Sequence, residues 1–161
     1  MRTIRRCRPE DAAACAEIVR GAREHFDEHV AEEVRGAVAS GEAAWVAMQG
    51  EHHLGFALVS RPLPRTAEIR YLAVVADSRG AGVGGELVEA VCAELVDDGV
   101  DLVLLHTLDV SVDYAPYERT RAFWRRHGFV RVAVIDPFPG WRPGNPAALF
   151  VRALRITGPK T

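Results

Sequence analysis

The sequence predicts a mixed α/β (α+β) fold in which an antiparallel hairpin precedes a strand-helix-strand crossover. Two strand-like runs, Ala43 to Met48 and Leu54 to Ser60, flank a turn at residues 49–51, which is the pattern of a β-hairpin. A third run, Ala67 to Val75, leads into a glycine-rich loop and then into a helical pattern from Gly84 to about Asp97. This order predicts a mixed sheet, antiparallel early and with a parallel crossover in its middle.

The segment before the hairpin is predicted to contain one strand and two helices. Thr3 to Arg6 forms a short first strand, and Pro9 with the two acidic residues after it suits the start of a helix that extends to about Arg23. A second helix is predicted from Glu28 to Ala39, where a Ser-Gly pair ends it.

The segment after the hairpin supplies the rest of the sheet. Arg61 to Arg65 holds two prolines and is predicted to interrupt the strand pattern. Leu102 to Leu108 is nearly all apolar, as expected of an interior strand covered on both faces. A helix from Tyr117 to Arg126 and two strands, Phe129 to Ile135 and Ala148 to Arg155, complete the predicted elements.

Length and composition favour a single domain. The 161 residues are 48% hydrophobic, which suits one domain over residues 1–161 with a core from about residue 3 to 155. The formal net charge is −2, so bulk charge gives no support for nucleic-acid binding. No apolar run approaches the roughly 20 residues of a membrane span, and no signal-peptide core follows the first residues. We therefore expect a cytoplasmic protein without a membrane partner.

Neither the cysteines nor the histidines predict a metal site. Cys7, Cys15 and Cys92 are odd in number and widely spaced, which disfavours both disulfides and zinc. His25 and His29 are four residues apart and fit one face of a helix, but no third ligand accompanies them. We expect no metal.

The glycine-rich loop after the third strand is the most informative motif. It reads Arg79-Gly80-Ala81-Gly82-Val83-Gly84-Gly85. At the start of a helix the first backbone N–H groups lack intrahelical partners and point outward at the positive end of the dipole. Glycine permits positive φ and lets a phosphate approach the backbone without meeting a Cβ atom. The loop therefore predicts an anion site, to which Arg79 adds a positive charge.

Two nucleotide-binding motifs share features with this loop. Gly80-x-Gly82-x-x-Gly85 matches the dinucleotide fingerprint, with Asp101 or Asp109 as the acidic partner. That fingerprint belongs to a doubly wound parallel sheet, whereas two helices and a hairpin precede the loop here. A nucleoside-triphosphate loop is disfavoured because no Lys-Ser or Lys-Thr pair follows the glycines.

The same residues also read as Arg79-x-x-Gly82-x-Gly84 after the strand Ile69-Arg70-Tyr71-Leu72-Ala73-Val74. This segment resembles the acetyl-CoA-binding motif of the GNAT superfamily of N-acetyltransferases. Phe123-Trp124-Arg125-Arg126-His127-Gly128-Phe129 resembles the superfamily's later helix and its Gly-Phe entry to the next strand. The resemblance spans the order of elements from Ile4 to Leu154, and it implies a mostly antiparallel sheet with a splayed parallel strand pair and helices on both faces.

The resemblance also implies a set of acetyl-CoA contacts. The splayed strand presents free backbone groups to the pantetheine arm, and the loop amides bind the pyrophosphate. Further contacts are expected from the later helix, with added positive charge from its arginines. The cofactor-binding residues implied are Leu72, Ala73, Val74, Arg79, Gly80, Ala81, Gly82, Val83, Gly84, Gly85, Phe123 and Arg126, with Arg119, Arg121 and Arg125 either adding charge or forming a solvated helix face.

Amine acylation needs a neutral nucleophile. A lysine-like amine has a pKa near 10.4, so its deprotonation at neutral pH costs roughly 4.6 kcal/mol. The resemblance places Glu68 where many members carry a glutamate that serves as general base, usually through water. The superfamily's usual acid, a tyrosine, is replaced here by Trp124, which leaves Tyr117, Tyr114 or water to reprotonate the thiolate. We select Glu68 and Tyr117 as catalytic residues.

The acceptor is an amine whose identity the sequence does not specify. In the family the early helical region lines the acceptor pocket, which implicates Phe26 and His29, and we add the loop residue Trp141. The expected activity is acetyl transfer from acetyl-CoA to a small-molecule or peptide amine, by a monomer or homodimer. Two alternatives stay open at this point: a non-catalytic acyl-CoA-binding sensor module and a dinucleotide-dependent oxidoreductase.

Overall fold

The computed structural model describes residues 1–155 and contains one seven-stranded sheet with four α-helices. The strands are β1 (Arg2–Arg6), β2 (Ala44–Gln49), β3 (His52–Leu63), β4 (Thr66–Val74), β5 (Leu102–Leu108), β6 (Val130–Ile135) and β7 (Ala147–Ala153). The helices are α1 (Ala12–Arg20), α2 (Glu28–Ala39), α3 (Val83–Asp97) and α4 (Pro116–Arg126). Among the helices of this part of the chain, none has the length and apolar character that a membrane span requires.

The strand order confirms the predicted mixed sheet. The strands lie in the order β1-β2-β3-β4-β5-β7-β6. Within residues 1–155, β4 and β5 form the one parallel pair and every other pair is antiparallel. The hairpin formed by β2 and β3 is as predicted. A dinucleotide-binding sheet would be doubly wound and mostly parallel, so the oxidoreductase interpretation is wrong at the level of the fold.

Helices cover both faces of the sheet because successive side chains of each strand point to opposite faces. One apolar cluster joins α1 and α2 to β2, β3 and β4, with Phe56 and Leu58 fully buried at its centre. The other joins α3 and α4 to the opposite face, with Leu87 and Phe150 fully buried. The cluster under α1 and α2 contains no buried residue of β5, β6 or β7 within the described chain. That half of the face is therefore more open.

Three predicted elements differ from the structure. The first helix ends at Arg20, not Arg23, and Gly21 caps it. Pro62 does not end the second hairpin strand: β3 continues past Ser60 to Leu63, with a register shift after Ser60. Finally, β5 is not covered on both faces: Leu102 is 42% exposed, since α1 and α2 do not extend over it.

A buried carboxylate ties β1 to β3. Asp11 is 2% exposed and accepts hydrogen bonds from both Nη atoms of Arg5 at 2.8 and 3.0 Å. The N–H of Arg8 donates to it at 2.7 Å, and Nε2 of His53 lies 2.8 Å from its other oxygen. The Arg5 hydrogen bonds, with those from Arg8 and His53, hold the pKa of Asp11 well below its usual range. The acidic residue that was predicted to favour the helix start is thus the centre of a polar network.

Candidate active site

The site begins where the parallel pair of strands opens. The β4–β5 ladder pairs Thr66 with Leu102 and ends at Glu68 opposite Leu104. Beyond this point β4 continues to Val74, still paired with β3 on its other edge. Among the described residues, the edge of β4 that faces β5 therefore has no strand partner from residue 69 to 74.

Backbone groups of β4 point into this opening. The N–H of Val75 donates to Leu54 of β3 at 2.9 Å. Because backbone groups alternate between the two edges of a strand, those of Val74 and Leu72 face the opening and those of Ala73 face β3. The carbonyl of Val74 accepts a hydrogen bond from Nε of Arg79 at 3.1 Å. Within residues 1–155, the backbone groups of Leu72 and the N–H of Val74 thus remain free for a ligand, whereas the backbone groups of Ala73 face its partner strand β3.

The glycine loop lies at the mouth of the opening, with residues 79–82 exposed, Gly84 and Gly85 half-buried and Val83 buried. Gly80 and Gly82 have φ values of +78° and +84°, which glycine adopts readily and other residues rarely do. Gly82 precedes the first residue of α3. Within residues 1–155 no hydrogen bond engages five N–H groups of this segment, those of Gly80, Gly82, Val83, Gly84 and Gly85. These donors at the positive end of the helix dipole form an accessible anion site.

Gly84 and Gly85 are required for a different reason than the sequence suggested. A Cβ at Gly84 would lie 3.1 Å from the ring of Phe123, and one at Gly85 would lie 2.7 Å from the ring of His127. These two glycines therefore let α4 approach α3 closely, which leaves Gly80 and Gly82 to shape the loop. The rings of Phe123 and His127 lie 4.5 Å apart. Burial is the main cause that lowers the pKa of His127, and the positive charges of Arg126 and Arg152 lower it further.

Arg79 links the glycine loop to the segment between α1 and α2. Its Nη1 lies 2.8 Å from Oε1 of Glu24, and its side chain is 41% exposed. The pKa of Glu24 is lowered mainly by a hydrogen bond from the backbone N–H of Glu24 itself, and Arg79 lowers it further. The guanidinium predicted to bind a phosphate is therefore already shared between a carboxylate and the carbonyl of Val74.

Replacing Glu24 by Gln is expected to tighten coenzyme A binding. The substitution removes a carboxylate that competes with phosphate for Arg79, and an exposed ion pair of this kind contributes up to about 1 kcal/mol, or about five-fold in Kd. Isothermal calorimetry measures the change. Glu118→Gln is the matched control, because it removes an exposed acidic charge for which no ion pair occurs within residues 1–155. Equal Kd values for the two variants would contradict the competition.

The arginines of α4 separate into two groups. Arg119, Arg125 and Arg126 are exposed, so they remain available to an anionic ligand. Arg121 is 5% exposed and its Nη1 donates to the carbonyl of Leu108 at 3.0 Å. It is neither a phosphate ligand nor part of a solvated helix face, because its guanidinium caps the end of β5.

Glu68 forms a pair with a histidine that the sequence analysis missed. Nδ1 of His106 lies 3.0 Å from Oε1 of Glu68, and the two side chains are 16% and 26% exposed. The ring of Phe138 lies 4.6 Å from the imidazole, and Trp141 lies 5.1 Å from Phe138. Trp141 therefore belongs to an aromatic wall beside Glu68. One feature of the sequence could have indicated His106: it is an ionisable residue within the apolar strand Leu102–Leu108. That signal is weak on its own.

Tyr117 of α4 and Tyr114, two residues before that helix, face the segment between α1 and α2. The hydroxyl of Tyr117 donates to the carbonyl of His25 at 3.1 Å, and that of Tyr114 donates to the carbonyl of Glu24 at 2.9 Å. Burial raises the pKa of Tyr117 to about 12, with a smaller contribution from Tyr114. Trp124, which occupies the family's tyrosine position, is 6% exposed in the core. It supplies no acid at the opening.

The early histidines do not share a helix face. His25 lies before α2, in the segment that follows α1, and its Nε2 contacts the carbonyl of Pro116 and the hydroxyl of Thr120, each at 3.1 Å. His29 is exposed in the first turn of α2. Phe26 packs edge-on against Tyr71 of β4, with ring centroids 5.9 Å apart. Of the predicted acceptor residues, Phe26 therefore lies beside β4, whereas Trp141 packs on Phe138, the ring next to His106 of β5.

This geometry defines a class of protein: a mixed sheet opened between two parallel strands, with a helix N-terminus at the mouth of the opening. The family model described as "Acetyltransferase (GNAT) domain" matches residues 40–131, which is more than half of the chain. The chain belongs to the GNAT family of acetyltransferases, enzymes that transfer an acetyl group from acetyl-CoA. A comparison with curated proteins found no match.

Solved structures agree with this assignment at the level of the fold. An acetyltransferase described as a GNAT family member from Desulfovibrio desulfuricans superposes with a TM-score of 0.83 at 22% identity, covering 96% of this chain and all (100%) of that one. The ribosomal-protein-S18-alanine N-acetyltransferase from Escherichia coli gives 0.77 at 19% identity, covering 100% and 99%. An aminoglycoside 6'-N-acetyltransferase complexed with coenzyme A gives 0.76 at 19% identity, covering 98% and 99%.

Proposed function

We propose that this chain acetylates an amine by direct attack of the amine on acetyl-CoA within a ternary complex. The observation that carries the proposal is the set of N–H groups at Gly80 and Gly82–Gly85 that have no hydrogen-bond partner within residues 1–155, next to a strand edge of β4 without a strand partner. Backbone donors at a helix N-terminus suit a diphosphate, and an unpaired strand edge suits the amide groups of a pantetheine arm. Holding both reactants in one site supplies the orientation that direct attack needs.

The residues divide between cofactor, chemistry and acceptor. The segment from Arg79 to Gly85 holds the diphosphate, and Leu72 to Val74 holds the pantetheine arm. Phe123 packs against Gly84 at the start of α3, and Arg126 adds positive charge. The free N–H groups of β4 polarise the thioester carbonyl as negative charge develops on its oxygen. On the acceptor side are Phe26, His29 and Trp141.

Proton transfer is assigned to Glu68 and Tyr117. The pair formed by Glu68 and His106 lies at the last rung of the ladder, where the opening begins, so it is the proton-accepting centre. Tyr117 reprotonates the thiolate of coenzyme A. Its hydroxyl now donates to His25, so this role requires the segment between α1 and α2 to release it.

Two of the structural neighbours suggest the first acceptors to test. One acts on a ribosomal protein's alanine and the other on an aminoglycoside, so a first panel contains an alanine-initiated hexapeptide, kanamycin and tyramine. Release of free thiol from acetyl-CoA with purified protein measures turnover. Thiol release with at least one amine supports the proposal. Binding of acetyl-CoA without thiol release for any amine would favour the sensor module, which the buried Trp124 also favours.

A negative charge in the glycine loop is expected to oppose coenzyme A. Ala81 is exposed between the two positive-φ glycines, so Ala81→Glu places a carboxylate beside the diphosphate and weakens binding by about ten-fold at low salt. Ala81→Gln is the matched neutral control and should stay within about two-fold of the parent. Added salt should reduce the difference in Kd between the two variants because it screens exposed charges. Equal binding by both variants would place the diphosphate elsewhere.

A further inference from the structure

His106 is an ionisable side chain at the opening whose own role is still unassigned. Its Nδ1 is paired with Glu68 at 3.0 Å, and no hydrogen bond to its Nε2 occurs within the described residues. A ring that donates from Nδ1 to a carboxylate keeps a lone pair on Nε2. The imidazole is therefore oriented as a base with its accepting atom free.

The position of His106 favours direct contact with the reacting groups. The ladder ends at Glu68 opposite Leu104, and His106 follows Leu104 by two residues on the same face of β5. At the rise of a strand this is about 7 Å further along, in the stretch where β5 has lost its β4 partner. The imidazole therefore lies nearer to the open part of the site than the paired backbone of Glu68 does.

Two contacts hold the imidazole in place. Glu68 engages one ring nitrogen, and the ring of Phe138 packs 4.6 Å away at an angle of 43°. A fixed carboxylate on Nδ1 also stabilises the charged imidazolium that forms when Nε2 accepts a proton. The pair thus combines an imidazole that is oriented to accept a proton with a carboxylate that stabilises the imidazolium formed.

We propose that His106 takes the proton from the acceptor amine, and that Glu68 acts as a positioning residue behind it. The inference rests on the proposed acetyl transfer and refines its chemistry. The amine nitrogen bonds to the thioester carbonyl carbon, the C–S bond breaks, and sulfur leaves with the electron pair as a thiolate. The proton lost by nitrogen goes to Nε2 of His106 and then to solvent, while Glu68 stays ionised throughout.

The first test compares His106→Gln, Glu68→Gln and the double variant, using the fastest acceptor of the panel. His106→Gln should lower kcat/KM by about 100-fold or more, with the Kd for acetyl-CoA within about two-fold. The double variant should be no more than about three-fold below His106→Gln, because residues that act as a unit are not additive.

His52→Gln is the matched control, since His52 is exposed and lies outside the proposed site. It should keep the parental rate and pH profile. A His106→Gln rate within about three-fold of the parent, or a double variant whose loss equals the product of the single losses, would overturn the inference. Thermal unfolding of each variant separates loss of activity from loss of fold.

A second measurement needs no substitution and no acceptor. Nitrogen-15 imidazole spectra of the parent at pH 8, assigned through the backbone of His106, should show the tautomer with Nδ1 protonated and Nε2 bare. The opposite tautomer would overturn the inference. A parent that neither binds acetyl-CoA nor releases thiol would remove the acetyl transfer itself, whereas an active parent with an unaffected His106→Gln variant would remove the role of His106 alone.

Discussion

Glu68→Gln is expected to lower kcat/KM for acetyl transfer by about 100-fold, the scale of general acid-base catalysis. The carboxylate is the negative charge at the end of the parallel ladder and is paired with His106 at 3.0 Å. Without it, removal of the amine proton, which costs roughly 4.6 kcal/mol for a lysine-like amine at neutral pH, loses its assistance. Thiol release measured over a range of amine concentrations gives kcat/KM for the parent and the variant.

The loss should appear in turnover and not in cofactor binding. The Kd for acetyl-CoA, measured by calorimetry, should stay within about two-fold of the parent because Glu68 lies outside the glycine loop. Glu51→Gln, an exposed carboxyl in the β2–β3 turn, serves as control and should keep the parental rate. Full activity of Glu68→Gln would remove the carboxylate from the chemistry.

Asp11→Ala is expected to reduce the free energy of unfolding by about 3 kcal/mol at pH 7. Removing one member of a buried ionic network leaves its partners without compensation, and such losses are typically 3–5 kcal/mol. The partners here are Arg5, the N–H of Arg8 and His53. Urea denaturation measures the difference, and Glu10→Ala, an exposed neighbour, should change stability by less than about 0.5 kcal/mol.

The effect of Asp11 should also depend on pH in a defined direction. Its folded-state pKa is depressed, mainly by hydrogen bonds from Arg5. Its stabilisation is therefore complete above the ordinary carboxyl pKa of about 3.9 and is lost as the pH falls toward the lower folded-state value. The difference between parent and Asp11→Ala should shrink at about pH 3. A difference that grows on acidification would contradict this account of the network.

The sequence was most informative where one local pattern determines one local structure. The glycine loop at a strand-to-helix junction predicted free N–H groups, and the strand patterns predicted the hairpin and the parallel crossover. The roles of Gly84 and Gly85 were not predictable in the same way. Their spacing to Phe123 and His127 depends on how α4 packs on α3, which no local pattern specifies.

Tertiary placement explains the other differences. Arg121 belongs to a helix rich in charge, and its burial follows from the carbonyl of Leu108 at the end of β5. The proposed role of His106 depends on its contact with Glu68, which is 38 residues away in sequence and lies on the neighbouring strand. Both contacts join separate elements, so neither contact could be predicted before the strand order was known.

The central claim is that main-chain donors of the glycine loop bind the diphosphate of coenzyme A. Amide nitrogen-15 spectra recorded during titration with coenzyme A, and in parallel with pantetheine, test it directly because pantetheine lacks the diphosphate. The account predicts large shifts of the Gly80, Gly82, Gly84 and Gly85 resonances with coenzyme A and much smaller ones with pantetheine. Equal shifts with both ligands, or none at these glycines when coenzyme A binds, would contradict it.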